Sequence, residues 1–262
     1  MQTTSFKPLA GRKIVVTRPV EEAEVLSEKL RGLGATTVEL STIKIIPPEQ
    51  LELLNHAVKK LEEYDWVVFT SIHGVRSLTD RMVALKVPLG ALAKPKVAAI
   101  GPATASELTK HGRSPDFVPR EYLSEKIADS LGDLSGKRVL LPRADIASPI
   151  LPTELRKRGA IVDEVAAYRT VIPEDLTAER VRMVLSKGVD LVTFTSPSTV
   201  RNLASVVGSE ELLSYLRGAK VGCIGPVTCE AARELGITVD LVAETHTVNA
   251  LVEAIVNEIR NL

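Results

Sequence analysis

Hydroxyl and glycine residues recur directly after short apolar runs, at positions where they could bind an anion. Phe69-Thr-Ser71 is matched by Phe194-Thr-Ser196, and Ile100-Gly-Pro-Ala-Thr104 is matched by Ile224-Gly-Pro-Val-Thr228. Glycine gives a ligand access to the backbone, and proline suits the first turn of a helix. Free N–H groups at a helix N-terminus attract carboxylates and phosphates. The candidate binding residues are therefore Ser71, Gly101, Thr104, Ser196, Gly225 and Thr228.

Arg18 and Arg143 stand at the ends of two further predicted strands, where they could complement an acidic ligand. Each candidate also has an ordinary explanation, because serine and threonine at such turns commonly cap helices and a strand-end arginine can be a solvated charge. A ligand site is favoured because several such loops follow the carboxyl ends of predicted strands. Helix N-termini supply positive potential there, so a polyanion could bind without a surplus of basic residues.

Motifs of the common cofactor-dependent sites are missing from the sequence. No G-x-G-x-x-G follows a predicted strand, and no G-x-x-x-x-G-K-[ST] loop or G-x-S-x-G elbow occurs. Cys223 and Cys229 lack further soft ligands nearby, and the four histidines are scattered without paired spacing. We therefore expect an activity that needs neither a cofactor nor a metal ion.

The chain is an internal duplication. Gly11–Pro19 returns as Gly136–Ala144, and the two hydroxyl-bearing motifs described above each occur twice. The offsets agree: 136 − 11 = 125, 196 − 71 = 125 and 228 − 104 = 124. Matches in one register indicate two copies of one unit of about 125 residues.

Short apolar runs alternate with amphipathic segments in each copy. The runs are typical of parallel strands buried on both faces, and the segments between them have helical spacing. The predicted strands are 14–17, 66–70, 97–100, 139–141, 191–195 and 221–224, and the predicted helices are 21–33, 51–63, 75–85, 178–187 and 228–235. This alternation predicts an α/β protein with a doubly wound parallel sheet in each copy.

One segment in each copy, Gly34–Pro48 and Gly159–Pro173, is longer than a typical strand. Each could leave one lobe and enter the other, and the two could then pair antiparallel as a connector. The alternative is two lobes in series, in which each long segment contains only a second strand. The residue pattern leaves both arrangements open.

Composition limits the classes of partner. The 262 residues suffice for two α/β lobes, and 33 Lys and Arg balance 33 Asp and Glu. A net charge of zero argues against a general nucleic-acid binder. The sequence contains no stretch that resembles a secretion signal and no apolar run long enough to span a membrane. We expect a cytoplasmic protein that binds neither nucleic acid nor membrane.

Taken in this order and spacing, the motifs resemble those of the uroporphyrinogen-III synthases. The resemblance rests on the repeated Phe-Thr-Ser followed by Val-Arg, the repeated Ile-Gly-Pro-x-Thr, the strand ends at Arg18 and Arg143, and the segment Ala167–Thr170. Family members often carry a small pair such as Asn-Ala after Thr-Ser. This chain has Ile72-His-Gly74 and Pro197-Ser-Thr199 instead, so the detailed contacts of these two loops are not implied.

The family's fold implies two doubly wound lobes joined by a two-stranded antiparallel connector. On this sequence, residues 1–37 with 172–262 would form one discontinuous lobe and residues 46–163 the other. Residues 38–45 and 164–171 would form the connector. The family's reaction implies a cofactor-free cyclisation of hydroxymethylbilane, a linear octa-carboxylate tetrapyrrole. Water is lost and ring D is inverted, through azafulvene and spiro intermediates.

The resemblance also implies roles for individual residues. Tyr168 matches the tyrosine suspected of assisting departure of the substrate hydroxyl, although a tyrosine that only packs is the alternative. Ser71, Thr104, Ser196 and Thr228 match positions that bind substrate carboxylates, and Arg18 and Arg143 are weaker candidates. We expect a monomer, and a transient contact with hydroxymethylbilane synthase is left open.

Two other classes of function deserve comparison. A two-lobed ligand receptor would close around a solute without catalysis, but such proteins usually carry a secretion signal. A two-lobed nucleotide-sugar transferase would be longer and would show a nucleotide-contacting motif. The sequence shows neither a secretion signal nor a nucleotide-contacting motif.

Overall fold

The computed structural model describes residues 7–119 and 124–260. The strands are β1 (Lys13–Val16), β2 (Thr36–Glu39), β3 (Lys44–Ile46), β4 (Trp66–Phe69), β5 (Lys96–Ala99), β6 (Arg138–Ala144), β7 (Ile161–Val171), β8 (Leu191–Phe194), β9 (Lys220–Cys223) and β10 (Leu241–Val242). The helices are α1 (Val20–Gly32), α2 (Leu51–Lys59), α3 (Ile72–Ala84), α4 (Pro102–Lys110), α5 (Ser124–Ser130), α6 (Ile150–Lys157), α7 (Ala178–Leu185), α8 (Pro197–Val207), α9 (Ser209–Leu216), α10 (Pro226–Glu234) and α11 (Val248–Arg260).

Every strand and helix predicted from the sequence is present, and most of their ends lie within three residues of the predicted ones. The predicted helix 51–63 is wrong as a single element. α2 ends at Lys59, Lys60 leaves helical geometry, and a 3₁₀ turn follows at Leu61–Glu63. Leu61 and Tyr64 both pack into the hydrophobic core on either side of this change in geometry.

The chain divides into two compact units: unit 1 is Met1–Lys44 with Val171–Leu262, and unit 2 is Ile45–Thr170. The lobe boundaries predicted from the sequence are narrower, and they remain a prediction. Their residues 1–6, 120–123 and 261–262 lie outside the described residues.

Each unit contains one five-stranded sheet. The strand order is β10-β9-β8-β1-β2 in unit 1 and β3-β7-β6-β4-β5 in unit 2. All neighbours in unit 1 pair parallel, as do β4 with β5 and β6, and β6 with β7, in unit 2. β3 pairs antiparallel with β7 at the points where the chain passes from one unit to the other. The predicted fold class is therefore confirmed, including the antiparallel pair.

Both sheets are covered on their two faces, which explains why their strands are almost continuously apolar. In unit 1, Val15 and Phe194 pack into a core on one face, whereas Ile14 and Val16 pack with α1 and α11 on the other. In unit 2, Val67 and Phe69 face one core and Val68 the opposite one. Among the described residues, no helix has the length and apolar character that crossing a membrane requires.

Aspartates anchor the beginnings of strands in both units. Each accepts a backbone N–H from the start of a neighbouring strand through Oδ2. The four pairs are Asp190 with Lys13, Asp65 with Arg138, Asp116 with Val97 and Asp240 with Val221, at 2.7 to 2.8 Å. The aspartates repeat in the duplication register, since 190 − 65 = 125 and 240 − 116 = 124. They hold the ends of the sheets that lie opposite the candidate binding loops.

Candidate active site

Ser71 begins α3 at the carboxyl end of β4 in unit 2. Its Oγ accepts a hydrogen bond from the Gly74 N–H at 3.0 Å, so that it caps the helix. A Cβ on Gly74 would lie 2.6 Å from the Pro142 carbonyl oxygen. The absence of a side chain at Gly74 therefore lets the first turn of α3 pack directly on β6, which fixes where Ser71 stands.

Tyr168 lies on β7, and its hydroxyl is 2.9 Å from the Ser71 Oγ. The phenol ring is buried, with 7% of the residue exposed, and the His73 ring lies 5.4 Å from it, tilted by 59°. The structure thus brings together two residues for which the sequence predicted separate roles. It also adds His73, which no motif of the sequence indicated as a site residue.

A register shift between β6 and β7 aims the Tyr168 side chain. Arg143 pairs with Ala166, but the next residue, Ala144, pairs with Tyr168, so β7 contains one extra residue at Ala167. In a regular strand Ala167 and Tyr168 would point to opposite faces. Here both lie in the same hydrophobic cluster as Phe69. Such bulges commonly re-aim a side chain near a functional site.

Gly101 and Thr104 begin α4 at the carboxyl end of β5. Gly101 has a φ of 95°, which favours glycine, and Pro102 follows it in the first turn. In contrast to α3, no side chain caps this helix. The Thr104 hydroxyl makes no hydrogen bond to another described residue, although the residue is only 4% exposed. α4 therefore presents uncommitted N–H groups and a hydroxyl at the carboxyl edge of unit 2.

Unit 1 repeats this contrast between a capped helix and an uncapped one. Ser196 caps α8 and forms a capping box with Thr199. Gly225 begins α10 without any side-chain cap, and the Thr228 hydroxyl has no partner within the described ranges. The His246 ring lies so close to Gly225 that a Cβ there would be 2.6 Å from its Cδ2. His246 is thus a second histidine near a candidate binding loop, and no motif of the sequence indicated it.

The two candidate arginines occupy equivalent positions and are engaged in similar ways. Arg18 forms an ion pair with Glu22. Arg143 donates to the Ser148 carbonyl oxygen at 2.8 Å and lies 3.3 Å from Glu164, and burial lowers its pKa. In each arginine the Nε is buried and has no hydrogen-bond partner. A substrate carboxylate that reached either residue would have to compete with its present acidic partner.

The arginine of the repeated Val-Arg motif joins two neighbouring helices. Arg76 on α3 donates to Glu107 on α4 at 2.5 Å, and Lys110 reaches the same carboxylate at 3.1 Å. The hydrogen bond from Arg76 lowers the pKa of Glu107 to about 2, despite the opposing effect of burial. In unit 1 the equivalent arginine, Arg201, pairs with Glu234 on α10 at the surface. These pairs were not predicted, because their partners lie about thirty residues apart on separate helices, beyond the reach of an i,i+4 pattern.

Other possible sites for a metal ion or a small ligand lie away from the candidate binding loops. Among the described residues, no group of three or more His, Cys, Asp or Glu could hold a metal ion. Cys223 and Cys229 are free and buried, and burial raises the pKa of Cys223 to about 12. Cavities of about 420 and 300 Å³ lie in unit 1 near Arg217 and Asp240, at the start of β9 and β10. No predicted site residue lines either cavity.

Comparison with known proteins identifies relatives over nearly the whole chain. A family model described as uroporphyrinogen-III synthase HemD matches residues 24–253. A putative uroporphyrinogen-III synthase from Methanothermobacter thermautotrophicus is 36% identical over 92% of this chain and 96% of its own length. The uroporphyrinogen-III synthase of Synechococcus elongatus is 28% identical over 95% of this chain and 96% of its own length.

Solved structures share the fold. A crystal structure of a mutant uroporphyrinogen III synthase from Thermus thermophilus aligns with a TM-score of 0.69 at 23% identity, covering 96% of this chain and all of that one. The uroporphyrinogen-III synthetase of Helicobacter pylori aligns with a TM-score of 0.63 at 19% identity, covering 94% of this chain and 99% of that one.

Proposed function

The chain belongs to the uroporphyrinogen-III synthase HemD family, and from this membership we propose how its residues carry out the reaction. Its activity is that of uroporphyrinogen-III synthase, EC 4.2.1.75, in tetrapyrrole biosynthesis. The family implies hydroxymethylbilane as the substrate. The proposal concerns the residues that bind this polyanion and the group that assists loss of its hydroxyl.

The uncapped helices α4 and α10 bind substrate carboxylates. Their N-terminal N–H groups have no side-chain cap, and Thr104 and Thr228 add hydroxyls without partners among the described residues. Helix N-termini stabilise anions through these N–H groups and the helix dipole. This repeated arrangement is the observation that carries the proposal. Arg18, Arg143 and the capping serine Ser196 are secondary contacts in it.

Tyr168 assists departure of the substrate hydroxyl. The carbon–oxygen bond breaks with its electron pair on oxygen, which takes the phenolic proton and leaves as water, and the N-protonated azafulvene, a cation, remains beside the phenolate. Attack by ring D gives the spiro intermediate, and rearrangement closes the inverted ring. The ring closure that restores the last pyrrole releases a proton, which neutralises the phenolate. The proximity of the phenol to a helix N-terminus at the strand ends supports this role.

Orientation is the larger part of the catalysis. In water the same substrate closes without inversion, so the chain must hold it in one reactive geometry. Holding reacting groups in place can account for several kcal/mol of a barrier, roughly 7–11 in favourable cases. We further propose that the protein acts as a monomer in the cytoplasm, since one chain contains every candidate residue.

A coupled assay tests the proposal. Porphobilinogen and a hydroxymethylbilane synthase would generate the substrate, and chromatography of the oxidised products would separate isomers III and I. The full chain should yield mainly isomer III. Tyr168→Phe should lower kcat at least tenfold, because general acids contribute roughly a hundredfold or more. Tyr215→Phe, which removes a hydroxyl bonded to Glu211 on α9, is the matched control and should stay within twofold. Unchanged turnover in Tyr168→Phe would reject the acid.

A further inference from the structure

The Ser71 hydroxyl has two partners, and together they constrain where its hydrogen points. It accepts from the Gly74 N–H at 3.0 Å and lies 2.9 Å from the Tyr168 oxygen. A serine hydroxyl has two lone pairs and a single hydrogen. Because a backbone N–H can only donate, the cap uses one of the lone pairs. The hydrogen of Ser71 is therefore available to the Tyr168 oxygen.

The direction of this hydrogen bond decides what Tyr168 can do. If Tyr168 donated to Ser71, its proton would be directed into the protein. If Ser71 donates to Tyr168, the phenolic proton is not used in this hydrogen bond, and a phenolate left behind would accept a hydrogen bond already in place. The cap favours the second arrangement, since a hydroxyl that accepts from an N–H becomes a stronger donor.

We infer that Ser71 is a positioning residue for Tyr168: it donates to the phenol oxygen, directs the phenolic proton towards the departing hydroxyl and stabilises the phenolate that remains. This inference rests on the proposed role of Tyr168 as the acid. It changes the predicted role of Ser71, which acts through the tyrosine rather than by holding a substrate carboxylate.

Three further observations fit this arrangement. The extra residue at Ala167 turns Tyr168 to the face where Ser71 stands. The close contact between Gly74 and the Pro142 carbonyl holds the start of α3 on β6. The duplication supplies a comparison, because Ser196 caps α8 as Ser71 caps α3, whereas the position equivalent to Tyr168 is Ile43 (168 − 125 = 43). A serine cap is thus common to both copies, and the tyrosine is present in one.

A double-mutant cycle on the full-length chain tests the inference. Ser71→Ala, Tyr168→Phe and the double variant would be compared in the coupled assay, with kcat and KM measured separately. Ser71→Ala should lower kcat by roughly ten- to a hundredfold, the range of one hydrogen bond to a charged group, with KM within about twofold. In the Tyr168→Phe background the same change should cost less than about twofold, because residues that act as a unit are not additive. Ser71→Thr should restore most of the rate.

Controls separate the hydrogen bond from the cap. Ser71→Gly removes the hydroxyl at a position where helix caps tolerate glycine, and it replaces Ser71→Ala if that variant fails to fold. Ser196→Ala removes the equivalent cap, and its effect should be undiminished in the Tyr168→Phe background. If the Ser71 and Tyr168 effects simply multiply, Ser71 acts independently and the inference is wrong, while the acid stands. If Tyr168→Phe alone is harmless, the acid and the inference both fail.

Discussion

At the scale of single residues, the structure separates two kinds of helix N-terminus that look alike in the sequence. The serines cap their own helices, which is the ordinary explanation for such residues, and this leaves Ser71 to contact Tyr168 as well. The glycines do not cap theirs, and Thr104 and Thr228 stand beside them with hydroxyls that no described residue engages. The glycine helices are therefore the better candidates for binding an anion.

Thr104→Ala and Thr228→Ala should each raise KM by about three- to tenfold and leave the unfolding temperature nearly unchanged. The lost hydroxyl makes no internal hydrogen bond, and a hydrogen bond to a charged ligand contributes about 1.5 kcal/mol or more, part of which the remaining N–H groups retain. Thr109→Ala on α4 is the matched control, because its hydroxyl bonds the Ala105 carbonyl in the exposed part of the helix. Steady-state kinetics and thermal unfolding would measure both effects. An unchanged KM in both variants would argue against this binding role.

The candidates at strand ends could be predicted because parallel strands bring their carboxyl ends to one edge. The contact between Tyr168 and Ser71 could not, since it depends on the extra residue at Ala167. A bulge of this kind leaves no periodic signal where the residues on both sides of it, Val165 to Tyr168, are all apolar. The resemblance to known synthases suggested Tyr168, but nothing in the sequence pointed to its partner.

At the scale of elements, the two helices that begin at the candidate binding edge of unit 2 are tied together by charge. Arg76 on α3 and Glu107 on α4 make an ion pair in which the carboxylate is buried and the arginine is partly exposed, and this pair fixes the Ser71 and Thr104 ends relative to each other. The equivalent pair in unit 1, Arg201 with Glu234, is more than half exposed on both sides. Exposed pairs contribute little to stability, and breaking a buried pair costs more.

Glu107→Gln should destabilise the chain by roughly 2 kcal/mol at pH 7, because Arg76 and Lys110 lose the buried carboxylate that they share. Glu234→Gln, the surface counterpart, should cost less than about 0.5 kcal/mol. Denaturant unfolding would measure both losses of stability. The kcat/KM of Glu107→Gln should also fall, because the N-terminal ends of α3 and α4 become less well fixed. An equal loss of unfolding free energy in the two variants would contradict the prediction that the buried carboxylate contributes more to stability than the exposed one.

The contribution of Glu107 should depend on pH in a defined direction. Its pKa falls from 4.5 to about 2 on folding, so the folded chain binds this proton less readily than the unfolded chain does. The stability it supplies is complete above the unfolded pKa and is lost as the pH falls from about 4.5 towards 2. The difference in stability between the wild type and Glu107→Gln should therefore shrink over that range.

The strands and helices were largely predictable from the sequence. The side chains that bind one strand to the start of the next were not. The strands follow from β-branched runs, and their parallel pairing follows from the intervening helices. The aspartates that hold the strand starts were missed although they repeat in register, as Asp65 and Asp190 do. An aspartate before an apolar run resembles an ordinary loop residue until the neighbouring strand is known. Comparing the copies residue by residue would have revealed them.

At the scale of the whole molecule, unit 2 is one continuous stretch, and unit 1 is built from two separated stretches. β1, an interior strand of the unit 1 sheet, comes from the first stretch and pairs with the central strand β8 from the second. Every strand of unit 2 lies within residues 44–171. A single continuous segment should therefore be able to fold on its own for unit 2 but not for unit 1.

Residues 44–171 expressed alone should fold cooperatively, and residues 172–262 alone should not, because they lack β1 and β2. Circular dichroism, thermal unfolding and amide NMR dispersion would measure this. Adding a second chain that contains residues 7–43 to residues 172–262 is the complementary experiment, and it should restore dispersed signals. A folded 172–262 chain beside an unfolded 44–171 chain would contradict the division.

The split of unit 1 also affects how the chain leaves the ribosome. Ile14 on β1 pairs with Leu191, which is translated 177 residues later (191 − 14 = 177). At about 5–20 residues per second, the apolar surface of β1 and α1 must wait roughly ten to thirty seconds for its partners, while unit 2 can complete itself in the interval. The α1 residues Leu26 and Leu30 wait longer still, since they pack with Leu251 and Ile255 on α11. The apolar residues of β1 and α1 thus stay without their native partners longer than those of unit 2 do during synthesis.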